Sequence, residues 1–208
     1  LDEARSENGS NCLIDNLLII PIGKTPEQLL AYFDNDPVMK ERFEGFFGTH
    51  PQITDLLQTQ AIDFQAENPP MAMTPSASSF DPEQRLGGVD IFGKVRTNLG
   101  AIISEGPVTI HGELHAKTDI LLASLFSNVS ILSSSQRLGN ADNWTDEVKS
   151  QARVHVGNIL TILAGKSIHM VGAQTHSGLG THMLALANIL DVPLELLSKH
   201  ISHSHNTT

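Results

Sequence analysis

The stretch SENGSNCLIDNLL, residues 6 to 18, carries the only cysteine of the 208-residue chain. Cys12 follows a Gly/Asn/Ser turn and heads an apolar run. A cysteine at the start of a helix is a candidate nucleophile. The free amides and the helix dipole there favour the thiolate, and the same amides stabilise an oxyanion. Such chemistry also needs a histidine to take the thiol proton and a polar group to orient that histidine. None of the ten histidines lies in residues 1–49. The first, His50, sits in THPQ, a loop position with no strand after it. His111, His115, His155 and His169 belong to a later repetitive region, where they would point out of the fold or cap it. Two readings of Cys12 therefore stand side by side: a nucleophile, or a small hydrophobe buried in a helix, as free cysteine commonly is.

Other candidates are weaker. HISHSH places His200, His203 and His205 together, which is metal-ligand chemistry, but no Cys or carboxylate accompanies them and a solvated tail explains them as well. THSGLGTH contains Gly178 and Gly180 without the Gly-Lys-Ser/Thr that a phosphate loop requires, so corner glycines are the simpler reading. His111 and His115 are four apart, but in alternating sequence they share a face only as surface residues. The acids in KERFE and TDEVK read as solvated helix faces. No cofactor is implied.

The elements around these residues come in two textures. Up to about residue 62 the pattern is helical. Leu13, Ile14, Leu17 and Leu18 fit one apolar face of a short helix. In GKTPEQLLAYF, Thr25 is an N-cap, Pro26 suits the first helical position and Gln28 completes a capping box. Asp36 and Pro37 repeat the device, and Gly48 is expected to end that helix as its C′ residue. A third helix follows with Ile53, Leu56 and Leu57 on one side. Residues 66–88, rich in Pro, Ser and Ala, read as a linker.

From residue 89 the chain turns to short apolar alternations broken by Gly, Asn, Ser and Lys. Val108, Ile110 and Leu114 in VTIHGELHA mark such strands, and DILLAS and NVSILSS follow closely. The turns are too short for crossover helices, which excludes a doubly wound α/β sheet. AKTDIL (116–121) and AGKSIH (164–169) share Ala, three residues, then Ile, and LANIL (186–190) is a looser copy. The implied period of about 20 to 25 residues is that of one turn of a parallel β-helix. The polar segment 137–154, with the only Trp, breaks the pattern and reads as a loop or short helix projecting from one turn. The expected fold is mainly β: a right-handed parallel β-helix over 89–208, a linker at 66–88 and a small helical segment over 1–65.

Composition narrows the function. The net charge of −10 argues against general nucleic-acid binding. No apolar run reaches the roughly 18 to 20 residues of a membrane span, and Leu1-Asp2-Glu3 does not open a signal peptide. The start at Leu and the end at HISHSHNTT read as cuts in a longer protein.

GNILTILAGKSIHMVGAQTHSG and the GTHMLALANILDVPLELLSKHISHSHNTT that follows resemble the repeats of filamentous haemagglutinin-like exoproteins, the stalks of two-partner secretion systems and contact-dependent polymorphic toxins. The resemblance covers roughly residues 89–205, with 137–154 as a departure. It implies a secreted or surface-bound protein of a Gram-negative bacterium, exported through an outer-membrane transporter. It also implies a mechanical role: presenting an adhesive surface or a toxin to a host or neighbouring cell. Separately, NGSNCLIDNLL resembles the nucleophile motif of papain-like and OTU-type cysteine peptidases. That resemblance implies Cys12 as nucleophile, Asn11 as an oxyanion-hole contributor, and a peptidase or deubiquitinase-like activity.

Overall fold

The computed structural model describes residues 12–13, 17–20, 24–67 and 87–200. The protein is mainly β, and its strands gather into three five-stranded parallel sheets. The first sheet holds β1 (Cys12–Leu13), β4 (Lys94–Thr97), β7 (Glu113–Ala116), β12 (Arg153–Val156) and β15 (Gln174–Ser177). The second holds β2 (Leu17–Ile20), β5 (Leu99–Ser104), β8 (Ile120–Ser124), β13 (Ile159–Ala164) and β16 (Gly180–Ala185). The third holds β3 (Val89–Ile91), β6 (Val108–Ile110), β9 (Val129–Leu132), β14 (Ile168–Val171) and β17 (Ile189–Val192). The chain adds one strand to each sheet in turn. Neighbours in a sheet are therefore one full round apart in sequence.

Register makes the rounds superimpose. Val89 lies opposite Val108, 19 positions on, Val108 opposite Val129, 21 on, and Ile168 opposite Ile189, again 21 on. Between Val129 and Ile168 the step is 39 because an extra segment intervenes. Like residues thus stack on like, as in Ile91–Ile110–Ile131. These rows fill a core that includes Val108, Ile110, Leu114, Leu122, Val154 and Ile162, all 0% exposed. Each such side chain contributes about 1.5–3 kcal/mol on removal from water. The expected alternation at Val108, Ile110 and Leu114 is present. AKTDIL and AGKSIH, expected as copies of one repeat, do not occupy equivalent places: Ala116 stands opposite Val156, and Ala164 opposite Ala185 and Ser124. AKTDI and AGKSI are corners of different sheets, alike because each corner leaves a small residue and re-enters on Ile.

Strands β5, β8 and β13 of the second sheet are buried on both faces, which is why ILLAS and ILTILA are nearly continuous apolar runs instead of alternations. Its outer face carries Ala101, Ile103, Leu121, Ala123 and Leu163, packed against three helices. These are α1 (Pro26–Ala31), α2 (Pro37–Thr49) and α3 (Pro51–Glu67). The capping box of α1 forms as expected: Gln28 N donates to Thr25 Oγ1 at 3.2 Å, and Thr25 N to Gln28 Oε1 at 2.9 Å. Asp36 caps α2 through Met39 N at 3.0 Å. Asp36→Ala is expected to lower stability by about 1 kcal/mol in a denaturant titration. Leu29, Phe33, Met39, Phe43, Ile53 and Leu57 face the sheet, whereas Leu56 is only half-buried.

Three expectations are corrected. The helix expected on Leu13, Leu17 and Leu18 is absent, since Cys12–Leu13 and Leu17–Ile20 are strands paired with Val95–Arg96 and Leu99–Ile102. Helices α1, α2 and α3 share a core with the second sheet. Gly48 does not end α2, which runs to Thr49 with His50 as its C-cap. Thr49 Oγ1 donates to the Gly45 and Phe46 carbonyls, so the last turn needs no left-handed glycine. The segment 137–154 is neither loop nor helix. It is an antiparallel hairpin, β10 (Ser134–Gly139) and β11 (Asn143–Ser150), to which β18 (Ser198–His200) adds a third strand, and its last residues begin β12. The linker at 66–88 falls almost wholly outside the described residues.

Candidate binding face

In the first sheet β4, β7 and β12 keep strict alternation, while Gln174, Thr175 and His176 of β15 are all exposed. Val95, Leu114 and Val154 point into the core, and the intervening residues form two rows on the outer face. One row runs Lys94, Glu113, Arg153, Gln174, and the other Arg96, His115, His155, His176. The parallel register brings together residues up to eighty positions apart. Imidazoles stack along the second row, with ring centroids 5.6 Å apart for His115–His155 and 4.7 Å for His155–His176. At the corner leading into this sheet, Phe92 and His111 stack at 4.5 Å, nearly parallel, and Phe92 is 68% exposed.

Glu113 is the one acid among these outward residues. Lys94 Nζ lies 3.2 Å away, Arg153 Nη1 3.5 Å and His115 Nε2 3.5 Å. Burial pushes its carboxyl up, but the hydrogen bond and charge of Lys94, with the charges of Arg153 and His115, outweigh this and hold it below the usual range. The His115 contact is electrostatic, since Nε2 makes no hydrogen bond. Arg153 also donates to Gln174 Oε1 at 2.9 Å. The face is a strip of cations and imidazole edges, with its lone carboxylate already engaged, on a protein whose net charge is −10.

Cys12 lies at the edge of this sheet, opposite Val95, in a row whose other members Leu114 and Val154 are buried. The helix N-terminus that its nucleophile reading rested on is not formed. Asn11 lies outside the described residues. His50 does not serve Cys12. Its Nε2 lies 3.1 Å from Asp119 Oδ2, its Nδ1 2.9 Å from the Phe46 carbonyl, and its ring stacks on Phe46. Asp119 Oδ1 accepts from Ile159 N at 2.9 Å. The pair fastens the helices to the corner between the first and second sheets. Among the described residues, no group of three or more His, Cys, Asp or Glu is placed to hold a metal ion. Of the HISHSH histidines, His203 and His205 lie outside the described residues.

The hairpin has its own lock. Arg137 donates to both Asp146 oxygens, at 2.8 and 3.2 Å, and lies 3.4 Å from the centroid of the Trp144 ring. The Arg137 hydrogen bond holds the Asp146 carboxyl below its usual range. A carboxyl depressed in the folded state adds stability above its unfolded value, and that stability is lost as pH falls through the folded one. Trp144 fluorescence, the only tryptophan signal, should therefore change as pH drops below about 4, and Asp146→Asn should already show the changed signal at neutral pH.

The histidine row escaped the sequence reading, although a signal for it exists. ELHA (113–116) and RVHV (153–156) share polar, apolar, His, small, and stand 40 positions apart. Comparison with known proteins adds nothing to this geometry: no family model, curated protein or solved structure matches the chain.

Proposed function

We propose that the three sheets close on one another as a right-handed parallel β-helix, and that the protein is stalk material of a haemagglutinin-like exoprotein. In this reading it is exported from a Gram-negative bacterium through an outer-membrane transporter and holds an adhesive surface or a toxin away from the cell. The supporting observation is the register. Rows such as Val108–Val129–Ile168–Ile189 continue through the hairpin insertion without a slip. A stack with this property lengthens by repetition, each round templating the next, without disulfides. Insertions are then carried on its outside, as the helices and the hairpin are.

The test is export. The open reading frame is expressed in a Gram-negative host with and without the transporter gene beside it. Externally added protease should degrade the chain on intact cells only when the transporter is present. Retention inside the cell in both strains would end the stalk reading. The peptidase reading finds no support in the strand at Cys12–Leu13, and a thiol-directed ubiquitin or peptide probe should leave the protein unlabelled at Cys12.

A further inference from the structure

We propose that the outer face of the first sheet binds a linear polysaccharide bearing carboxylate groups, laid along the stack across Arg96, His115, His155 and His176. Three observations converge on this ligand.

The first is charge placement. The chain has 23 acids against 13 Lys and Arg, yet the outward residues of β4, β7, β12 and β15 include Lys94, Arg96 and Arg153 against Glu113 alone. That carboxylate is already engaged by Lys94, Arg153 and His115. A locally positive strip on an acidic protein raises the local concentration of anions and steers them to the strip.

The second is shape. The row spans four strands, about 14 Å at roughly 4.8 Å per strand. It is two residues wide and runs straight along the register of the four strands, which suits an extended chain. Duplex nucleic acid fits badly: it carries one charge per about 1.7 Å, and its width would press most of its phosphates against the acidic remainder of the surface.

The third is the chemistry offered. Arg96 is exposed, between the register positions of Leu13 and His115, and its planar fork pairs with a carboxylate through two parallel hydrogen bonds. The exposed imidazoles of His155 and His176 offer ring nitrogens, which hydrogen-bond hydroxyl groups in either direction, whereas His115 Nε2 is buried. Phe92, stacked on His111 and open to solvent, gives an apolar platform beside the strip for the carbon face of a sugar ring. Cations, hydrogen-bonding edges and an exposed ring together suit a sugar acid better than a bare polyanion.

This proposal does not depend on export or on the stalk role, and its test uses the purified full chain. Retention is measured on immobilised polygalacturonate, dextran sulfate, neutral dextran and single-stranded oligothymidylate. Retention on polygalacturonate, with none on neutral dextran, is expected. Arg96→Ala combined with His155→Ala should weaken binding at least tenfold, Arg96→Lys should weaken it several-fold because the fork is lost, and Lys149→Ala on the hairpin should change nothing. Circular dichroism confirms that each variant remains folded. No retention on polygalacturonate overturns the proposal. So does equal or stronger retention on dextran sulfate or oligothymidylate, which would mean charge alone is read. Equal weakening by Lys149→Ala also overturns it, because binding would not be confined to this face.

Discussion

Leu122→Ala is expected to destabilise the protein by about 2–5 kcal/mol, the range for removing a buried leucine and leaving a cavity. Leu122 is 0% exposed and stands between Ile102 and Ile162 in the second sheet. Its side chain belongs to the inner core, whereas its neighbour Leu121 packs under the helices. The rounds above and below are held in register by the same rows, so the cavity has no simple way to collapse. With total stabilities of about 5–15 kcal/mol for a folded domain, this one change removes a large share. A urea titration followed by circular dichroism reads it. A loss below 1 kcal/mol would mean that the row is not packed as described.

The second large effect concerns the corners. A Cβ at Gly157 would overlap the Lys117 carbonyl oxygen, and one at Gly165 the Leu125 carbonyl oxygen. Both obstacles are backbone atoms of the preceding round and cannot rotate away. Gly157→Ala should therefore cost at least the 1–3 kcal/mol typical of overpacking. Gly45, inside α2, has open space around it. Gly45→Ala should stabilise by about 0.5–1 kcal/mol, because alanine is the better helix former. The same substitution at two glycines is thus expected to have opposite signs in one denaturant assay. Destabilisation at Gly45 or neutrality at Gly157 would contradict the placement of the rounds.

Elements decided by local sequence are legible in it, and elements decided by distant pairing are not. The caps at Thr25 and Asp36 were legible because a cap is decided within four residues. The strands around Val108, Ile110 and Leu114 were legible because alternation is local too. Leu13, Leu17 and Leu18, whose spacing fits a helix, lie in strands. Short apolar runs fit either element, and what decides here is pairing with Leu99–Ile102, some eighty residues away. The hairpin went unseen because most of its side chains face solvent, so no apolar alternation marks it. Its turn is made by Asn140, whose Oδ1 accepts from the Asp142 and Asn143 amides. The histidine row is masked in the sequence by the stronger likeness of the two corners AKTDI and AGKSI. Matching residues 116 and 164 pairs corners of two sheets, whereas matching His115 with His155 pairs true neighbours.

That last pairing gives the most direct test of the account, which rests on parallel rows that stay aligned across the hairpin. Adjacent parallel strands place paired Cα atoms about 4.8 Å apart, within the 4.4–6.8 Å that a disulfide spans. In a Cys12→Ser background, oxidation of the His115→Cys/His155→Cys variant should close a disulfide within one chain. The His115→Cys/Arg153→Cys variant should not, because its residues are diagonal neighbours about 7–8 Å apart. Efficient closure of the first pair alone is the predicted result; closure of the second pair alone, or of neither, would contradict the aligned stack.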